Sequence, residues 1–270
     1  MKKRTIVLLL VPFLLIIFLF LYGPLLPWSP LRPGYHQIRS RKAVVFIRDK
    51  NKLDPVYHTI DRIMAEAEKL YGLKYRKPVK VFVALDDKGR FSEMGRIMLW
   101  MRNYGMGGRA LETGDVVYID QPRIVRSGRK EPQYIRHELC HSLVQQNTGI
   151  LKSMRITGQH WVSEGTACYF GGPYYMTRNE FVREWKKKKF TYQENNRDIY
   201  SNLDPMAPGF NYTLYRYFIQ YLVETYGPEK FRVFLSRYIK DPRHDRSVFQ
   251  GIFRIKLPEA LALFEKEYKK

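Results

Sequence analysis

The chain has 270 residues, of which 45% are hydrophobic and 27% are charged, and its formal net charge is +21 at pH 7. This composition excludes a disordered or fibrous protein and predicts one large globular domain with a substantial core. Two cysteines are too few for a disulfide framework, which excludes a small disulfide-stabilised scaffold. The strong positive charge favours anionic neighbours.

The N-terminus predicts a membrane anchor. No charged residue occurs between Arg4 and Arg32, and the apolar run from Thr5 to Trp28 is long enough for a helix that crosses a bilayer. The three cations before it are expected to stay in the cytoplasm, so the rest of the chain would lie on the periplasmic or cell-surface side. A cleaved signal peptide is the alternative, but the residues after the apolar run lack a small-x-small cleavage site.

The predicted organisation has three parts. Residues 1–28 form a cytoplasmic tip and single-pass anchor, residues 29–42 form a linker rich in Pro and Gly, and residues 43–270 form the domain. Outside the membrane, such a basic domain is expected to meet anionic lipid or an acidic envelope polymer. The predicted anchor argues against nucleic acid as a partner.

The order of the predicted elements indicates an α+β domain, in which a small mixed β-sheet precedes a helical half. Apolar β-prone runs predict strands, and apolar residues at helical spacing predict a helix between the first two strands. The strands are Ala43 to Ile47, Val79 to Leu85 and Val116 to Ile119, and the helix is Pro55 to Tyr71. Later helices are predicted at Pro132 to Gln146, Val162 to Phe170, Arg178 to Lys188, Tyr212 to Tyr226, Pro228 to Tyr238 and Pro258 to Tyr268.

The first of the later helices contains the letters His-Glu-Leu-Cys-His at residues 137 to 141. His137 and His141 are four residues apart and therefore share one face of a helix, where both imidazoles can bind one ion. Glu138 lies about 100° further round the helix and can reach a water molecule on that ion. Because this pattern also arises by chance, the prediction of a metal site needs a third ligand.

Glu164 is the candidate for that third ligand. Catalytic zinc sites use three protein ligands and leave the fourth position to water, and Glu164 lies in the next predicted apolar helix, Val162 to Phe170. Gly165 and Ala167 would let that helix pack closely against its neighbours. His160, one turn earlier, is the alternative ligand.

These residues resemble the gluzincin metallopeptidases, the superfamily of thermolysin and the aminopeptidase-N-like enzymes. The phrase Trp-Val-Ser-Glu-Gly-Thr-Ala at residues 161 to 167 is similar to the one that those enzymes place around their third ligand. The resemblance covers roughly Val79 to Tyr268 and includes Tyr212 ahead of Tyr221 to Gly227, a pattern common in peptidase-MA-like members. It implies a zincin-like fold, one bound Zn²⁺ and hydrolysis of peptide bonds in a peptide or protein substrate.

The resemblance also implies roles for individual residues. Glu138 would act as the general base that takes a proton from metal-activated water. Tyr212 would donate a hydrogen bond to the tetrahedral oxyanion, with Tyr215 and His244 as substitutes. The substrate would lie along an edge strand, for which Val116 to Ile119 is a candidate.

Three departures from the family limit what it implies. The spacing from His141 to Glu164 is longer than in the best-known members, which a loop at Leu151 to Gln159 would absorb. The Gly-Ala-Met-Glu-Asn segment of the aminopeptidase branch is absent, so aminopeptidase specificity is not implied. Cys168 replaces the acidic residue that often supports a ligating histidine, and another acceptor must therefore orient that imidazole.

Several alternatives stay open at the level of sequence. Cys140 and Cys168 both fall on the metal-bearing helices, and a disulfide between them and two free thiols both fit. His36 and His58 are expected to be structural. A non-catalytic membrane-anchored module that keeps the fold is the main functional alternative, although an intact Glu138 argues against it. The predicted anchor argues against a DNA-associated metalloprotease.

Overall fold

A computed structural model of the chain describes residues 10–17, 34–86, 108–111, 113–149, 152, 160–171, 175–192, 198–201, 203 and 208–268. The predicted anchor lies outside these residues except for 10–17, a helical segment with exposed apolar side chains. In the part of the chain that is described, no helix has the length and apolar character needed to cross a bilayer. The membrane anchor therefore stays a prediction. The predicted loop at residues 151–159 is also outside the described residues, apart from residue 152.

The described part of the first half forms a five-stranded mixed sheet with the order β1-β2-β3-β5-β4. The three central strands run parallel, and each outer strand pairs antiparallel with its neighbour. The strands are β1 (His36–Arg39), β2 (Ala43–Ile47), β3 (Val79–Ala84), β4 (Gly108–Ala110) and β5 (Val116–Asp120). The prediction of a small mixed sheet followed by helices is confirmed, and β2, β3 and β5 lie where they were predicted.

The two edge strands were not predicted. β1 falls inside the predicted linker 29–42, and its pairing with β2 means that the sheet begins before Ala43. Val116 to Ile119 was predicted as a candidate edge strand, and this is wrong, because β5 pairs with β3 on one side and with β4 on the other. The outer strand on that side of the sheet is β4.

The later predicted helices are confirmed with shifted ends. The helices are α1 (Ile60–Tyr71), α2 (Gln121–Arg126), α3 (Glu131–Thr148), α4 (His160–Gly171), α5 (Arg178–Lys186), α6 (Pro208–Tyr226), α7 (Pro228–Lys240), α8 (Asp245–Phe253) and α9 (Leu257–Tyr268). The single helix predicted from Pro55 to Tyr71 consists of two parts, a 3-10 helix at Pro55–Thr59 and then α1. The short helices α2 and α8 were not predicted.

Helix α3 lies between the sheet and the helical half. Ile135 and Leu139 pack into the core formed with the central strands and α1. Leu143 and Val144 pack into a second, aromatic-rich core that contains Trp161 and residues of the later helices. A helix that is covered on nearly all sides is held in position by both halves of the fold. Polar side chains on α3 are thereby given fixed positions.

Helices α4 and α6 approach closely at Gly165. A Cβ atom on this glycine would lie 2.9 Å from Cγ1 of Ile219 and 3.0 Å from both Cβ and the carbonyl oxygen of Tyr215. The predicted role of Gly165 in close helix packing is confirmed. Because Gly165 follows Glu164 in the chain, this contact fixes the position of the carboxylate relative to α6.

We expect Gly165→Ala to destabilise the protein by about 1–3 kcal/mol, because the added methyl group overlaps with the backbone and a branched side chain of α6. The matched control is Gly251→Ala on α8, where an added Cβ meets nothing within 4 Å. This control should stabilise the protein by up to about 1 kcal/mol. Denaturant unfolding of both variants measures the two effects, and equal stabilities would contradict the packing described here.

Candidate metal centre

His137 and His141 on α3 and Glu164 on α4 converge on one point. The two Nε2 atoms are 3.0 Å apart, and Oε2 of Glu164 lies 3.3 Å from Nε2 of His137 and 3.5 Å from Nε2 of His141. In the described part of the chain, this is the group of histidine, cysteine and acidic side chains that is placed to hold a metal ion. The structure therefore brings the three predicted ligands together.

The spacing of these atoms fits a zinc ion. Zinc binds imidazole nitrogen and carboxylate oxygen at about 2.0–2.2 Å, and tetrahedral bonds of that length separate neighbouring ligand atoms by about 3.3 Å. The three separations, 3.0, 3.3 and 3.5 Å, lie around this value. Two imidazoles with one carboxylate form the ligand set of catalytic zinc sites that keep a position open for water.

The charges of the three side chains are coupled. Burial alone would lower the pKa of His141, but the adjacent carboxylate of Glu164 raises that pKa to about 9. Burial alone would raise the pKa of Glu164, whereas its contacts with His141 and His137 hold that pKa well below its usual value. A proton on the imidazole thus compensates the buried carboxylate in the way that a dication would, so metal and protons compete for the site.

Glu138 is oriented by the outer strand of the sheet. Its Oε2 accepts a hydrogen bond of 2.7 Å from the backbone N–H of Ala110, the last residue of β4. Glu138 is 6% exposed, so this hydrogen bond is shielded from solvent. The sequence did not predict the contact, because β4 has only three residues and no alternating apolar pattern.

Helix α3 also holds the turn between β4 and β5. Ser142 Oγ and Gln146 Nε2 both donate to the carbonyl oxygen of Gly114, the latter at 2.8 Å. Gly114 has φ +72°, and a Cβ there would lie 2.6 Å from the backbone nitrogen of Gln146. The turn therefore requires glycine, and it fixes β4 beside the helix that carries Glu138.

The outer nitrogens of the two histidines face neighbours on α4. Sγ of Cys168 lies 3.7 Å from Nδ1 of His137, and Oγ of Ser163 lies 3.5 Å from Nδ1 of His141. A partner at this nitrogen orients the ring for metal binding. The sequence indicated only that Cys168 replaces an acidic residue of the family. In the structure, Cys168 itself contacts the imidazole of His137.

The two cysteines are buried, and they do not form a disulfide with each other. Cys140 is hydrogen-bonded with Tyr71 of α1, whereas Cys168 contacts His137 of α3. Burial raises the pKa of the Cys140 thiol. The disulfide alternative is not formed, because the two thiols contact different residues.

Tyr212 lies close to the metal ligands. The charge of Glu164 is the largest influence that raises the pKa of Tyr212, and burial and the charges of Cys168 and Glu138 add to it. The hydroxyl therefore stays protonated and is able to donate a hydrogen bond. Tyr215, one turn further on, donates its hydroxyl to Asp198 instead.

The remaining histidines whose side chains the structure describes are not part of the cluster. His244 is exposed and contacts Asp241 at 2.7 Å. His36 and His58 are exposed, in β1 and in the 3-10 helix before α1. His160 is the first residue of α4, and its side chain lies outside the described residues.

Comparisons with known proteins give little beyond this geometry. No family model matches the chain, and no curated protein matches it. Among solved structures, the chain is similar to a mutant M1 zinc metallopeptidase from Deinococcus radiodurans that is bound to a Tyr-Ser-Ala substrate, with 13% identity and a TM-score of 0.46. The likeness covers 87% of this chain and 50% of that chain, so this chain spans about half the length of that protein.

Zinc affinity should rise with pH by up to tenfold per unit and level off near pH 9, because His141 must release a proton before it binds metal. The same proton stabilises the metal-free fold below about pH 6.5, and this stabilisation is lost as the pH rises towards 9. Chelator competition at a series of pH values measures the affinity. A zinc affinity that does not change above about pH 6.5 would contradict the coupling between His141 and Glu164. In Glu164→Gln, the zinc affinity should reach its plateau at a lower pH.

Replacing Cys168 with Ala should weaken zinc binding about tenfold, because the ring of His137 loses a contact that orients it. Cys140→Ala is the matched control, since it removes a buried thiol that faces Tyr71 and not the ligands. Zinc dissociation constants from competition with a fluorescent chelator compare the two variants. Equal affinities in both would show that Cys168 does not orient His137.

Proposed function

We propose that this protein is a zinc-dependent peptidase that hydrolyses peptide bonds with metal-activated water and Glu138 as the general base. The observation that carries the proposal is the convergence of His137, His141 and Glu164, whose ligand atoms are spaced as in a tetrahedral zinc site. Glu138 follows His137 directly on the same helix. When bound, Zn²⁺ would polarise the substrate carbonyl and lower the pKa of water.

Each residue of the site has a role in this proposal. The two imidazoles and the carboxylate of Glu164 hold the ion, and Cys168 and Ser163 orient the imidazoles. Glu138, fixed by the N–H of Ala110, accepts the proton of the attacking water and passes it to the leaving amine. Tyr212 donates a hydrogen bond to the carbonyl oxygen as negative charge develops there.

β4 provides the place for the peptide. As the outer strand of the described sheet, it has one side that does not pair with β5, and its last residue touches Glu138. A peptide that pairs with an outer strand gains main-chain hydrogen bonds regardless of its sequence. This binding mode would bring a peptide bond past the general base.

The proposed place of action is outside the cytoplasmic membrane. The apolar run from Thr5 to Trp28 and the cations before it support a single-pass anchor with the catalytic domain on the periplasmic or cell-surface side. The net charge of +21 supports contact with anionic lipid or an acidic envelope polymer.

Glu138→Gln should lower kcat by at least about 100-fold, because the amide cannot accept the proton, while zinc content stays that of the wild type. The control is Glu229→Gln, which removes an exposed carboxylate from α7 and should leave both quantities unchanged. Turnover of a library of internally quenched peptides and metal analysis provide the readouts. Wild-type protein that binds zinc but has no more hydrolytic activity than Glu138→Gln would favour a non-catalytic module.

Tyr212→Phe should lower kcat about 100-fold with little change in KM, because its hydroxyl would act on the transition state. Tyr215→Phe is the matched control on the same helix, since its hydroxyl is used by Asp198. It should lose stability but keep its kcat. Should Tyr215→Phe lower kcat more than Tyr212→Phe does, the oxyanion role would belong elsewhere.

A further inference from the structure

A pocket of about 570 Å³ lies at the N-terminal end of α3, the helix that carries His137 and His141, and has no role in the mechanism above. Its walls come from the segment between α2 and α3, the first turn of α3, the residues at the start of α5 and Tyr217 of α6. The residues that matter for its chemistry are Arg129, Lys130, Gln133, Tyr175, Thr177 and Arg178.

The pocket is positively charged. Arg129, Lys130 and Arg178 contribute cations, and the acidic residue in the described lining is Glu180. The Glu180 carboxylate accepts hydrogen bonds of 2.8 Å from both N and Oγ of Thr177 and so caps α5. The excess of positive charge favours an anionic group in the pocket.

Arg129 is held in a defined orientation. Its guanidinium carbon lies 4.4 Å from the ring centroid of Tyr175, and its Nη1 donates a hydrogen bond of 2.7 Å to the hydroxyl of Tyr134. A guanidinium group has five N–H donors, and a fixed one loses little entropy when it binds an anion. Lys130 is the N-cap of α3 and makes no side-chain capping bond. The N-terminus of a helix carries a partial positive charge, which adds to the positive charge of the pocket.

The pocket lies within reach of the metal centre. Tyr175 packs edge to face on Tyr212, with ring centroids 5.4 Å apart. Gln133 precedes the ligand His137 by four residues, which is about 6 Å along a helix. An extended peptide advances about 3.3 Å per residue, so a group in the pocket belongs to a residue about two positions from the bond at the metal.

We infer that this pocket is a substrate subsite that binds a carboxylate of the peptide, and that Arg129 and Arg178 recognise it. The inference rests on the proposed peptidase function. The carboxylate comes from a glutamate or aspartate side chain or from the C-terminus of the substrate. Guanidinium groups suit such a ligand, because they bind carboxylates with two parallel hydrogen bonds. The enzyme therefore prefers peptides that can place a carboxylate in this pocket.

The test measures binding to the full-length Glu138→Gln protein, which keeps the pocket and should turn over substrate too slowly to disturb a binding measurement. The probes are blocked poly-alanine peptides that carry one glutamate, moved along the peptide, and the same peptides with glutamine. A third set has a free C-terminal carboxylate and no glutamate. We expect one glutamate position, or the free C-terminus, to bind about tenfold more tightly than its uncharged counterpart.

In the Glu138→Gln protein, a second substitution, Arg129→Gln, should remove this preference. Because Arg129 also contacts Tyr134, the exposed Arg178→Gln is a second variant that leaves that contact intact, and it should reduce the preference several-fold. The control is Arg183→Gln, which removes the same charge from α5 outside the pocket and should keep the preference. Equal binding of charged and uncharged peptides, or a preference that survives both pocket variants, would overturn the inference.

The two proposals fail in different ways. If the wild type hydrolyses no peptide, the peptidase proposal fails, although the binding preference of Glu138→Gln can still be measured. If the wild type cleaves the glutamate peptides and the peptides with a free C-terminus no better than their uncharged counterparts, the peptidase proposal stands and the carboxylate subsite is wrong.

Discussion

The close contact between α4 and α6 at Gly165 determines where the third metal ligand lies. The glycine lets the backbone of α4 approach Tyr215 and Ile219, and the preceding Glu164 then points to His137 and His141 on α3. A larger residue would push α4 away, and a shift of one ångström is large compared with the tolerance of a zinc–ligand bond. The candidate metal centre thus depends on packing between two helices, neither of which carries His137 or His141.

The same site shows how the fold tolerates a buried charge. A carboxylate taken out of water is costly unless it is paired, and Glu164 has both imidazoles within 3.5 Å. In the metal-free protein the raised pKa of His141 supplies the compensating positive charge. The pair is therefore preorganised for a dication, since the geometry that stabilises the ion pair is also that of the ligand set.

The parts that could be predicted from the sequence are those governed by local rules. Helical spacing alone places His137 and His141 on one face, and the apolar context of residues 161 to 167 indicates a second helix with a ligand. Strands β2, β3 and β5 can be predicted because each contains an apolar, β-prone run of at least four residues. The mixed sheet with a helical second half followed from the order of these elements.

The parts that could not be predicted depend on contacts distant in sequence. β4 is too short for a pattern, and its role is visible only because Ala110 donates to Glu138, 28 residues later. The thiol of Cys168 beside His137 joins residues 31 positions apart. The pocket beside Arg129 likewise combines residues around Arg129 with residues around Arg178, and neither group has a pattern of its own.

The most direct test of the metal centre is the zinc content of the purified full-length protein, compared with Glu164→Ala and His160→Ala. The account predicts one zinc ion per chain in the wild type and in His160→Ala, and loss of the ion in Glu164→Ala. Retention of zinc in Glu164→Ala together with its loss in His160→Ala would contradict the ligand set on which the proposed function depends.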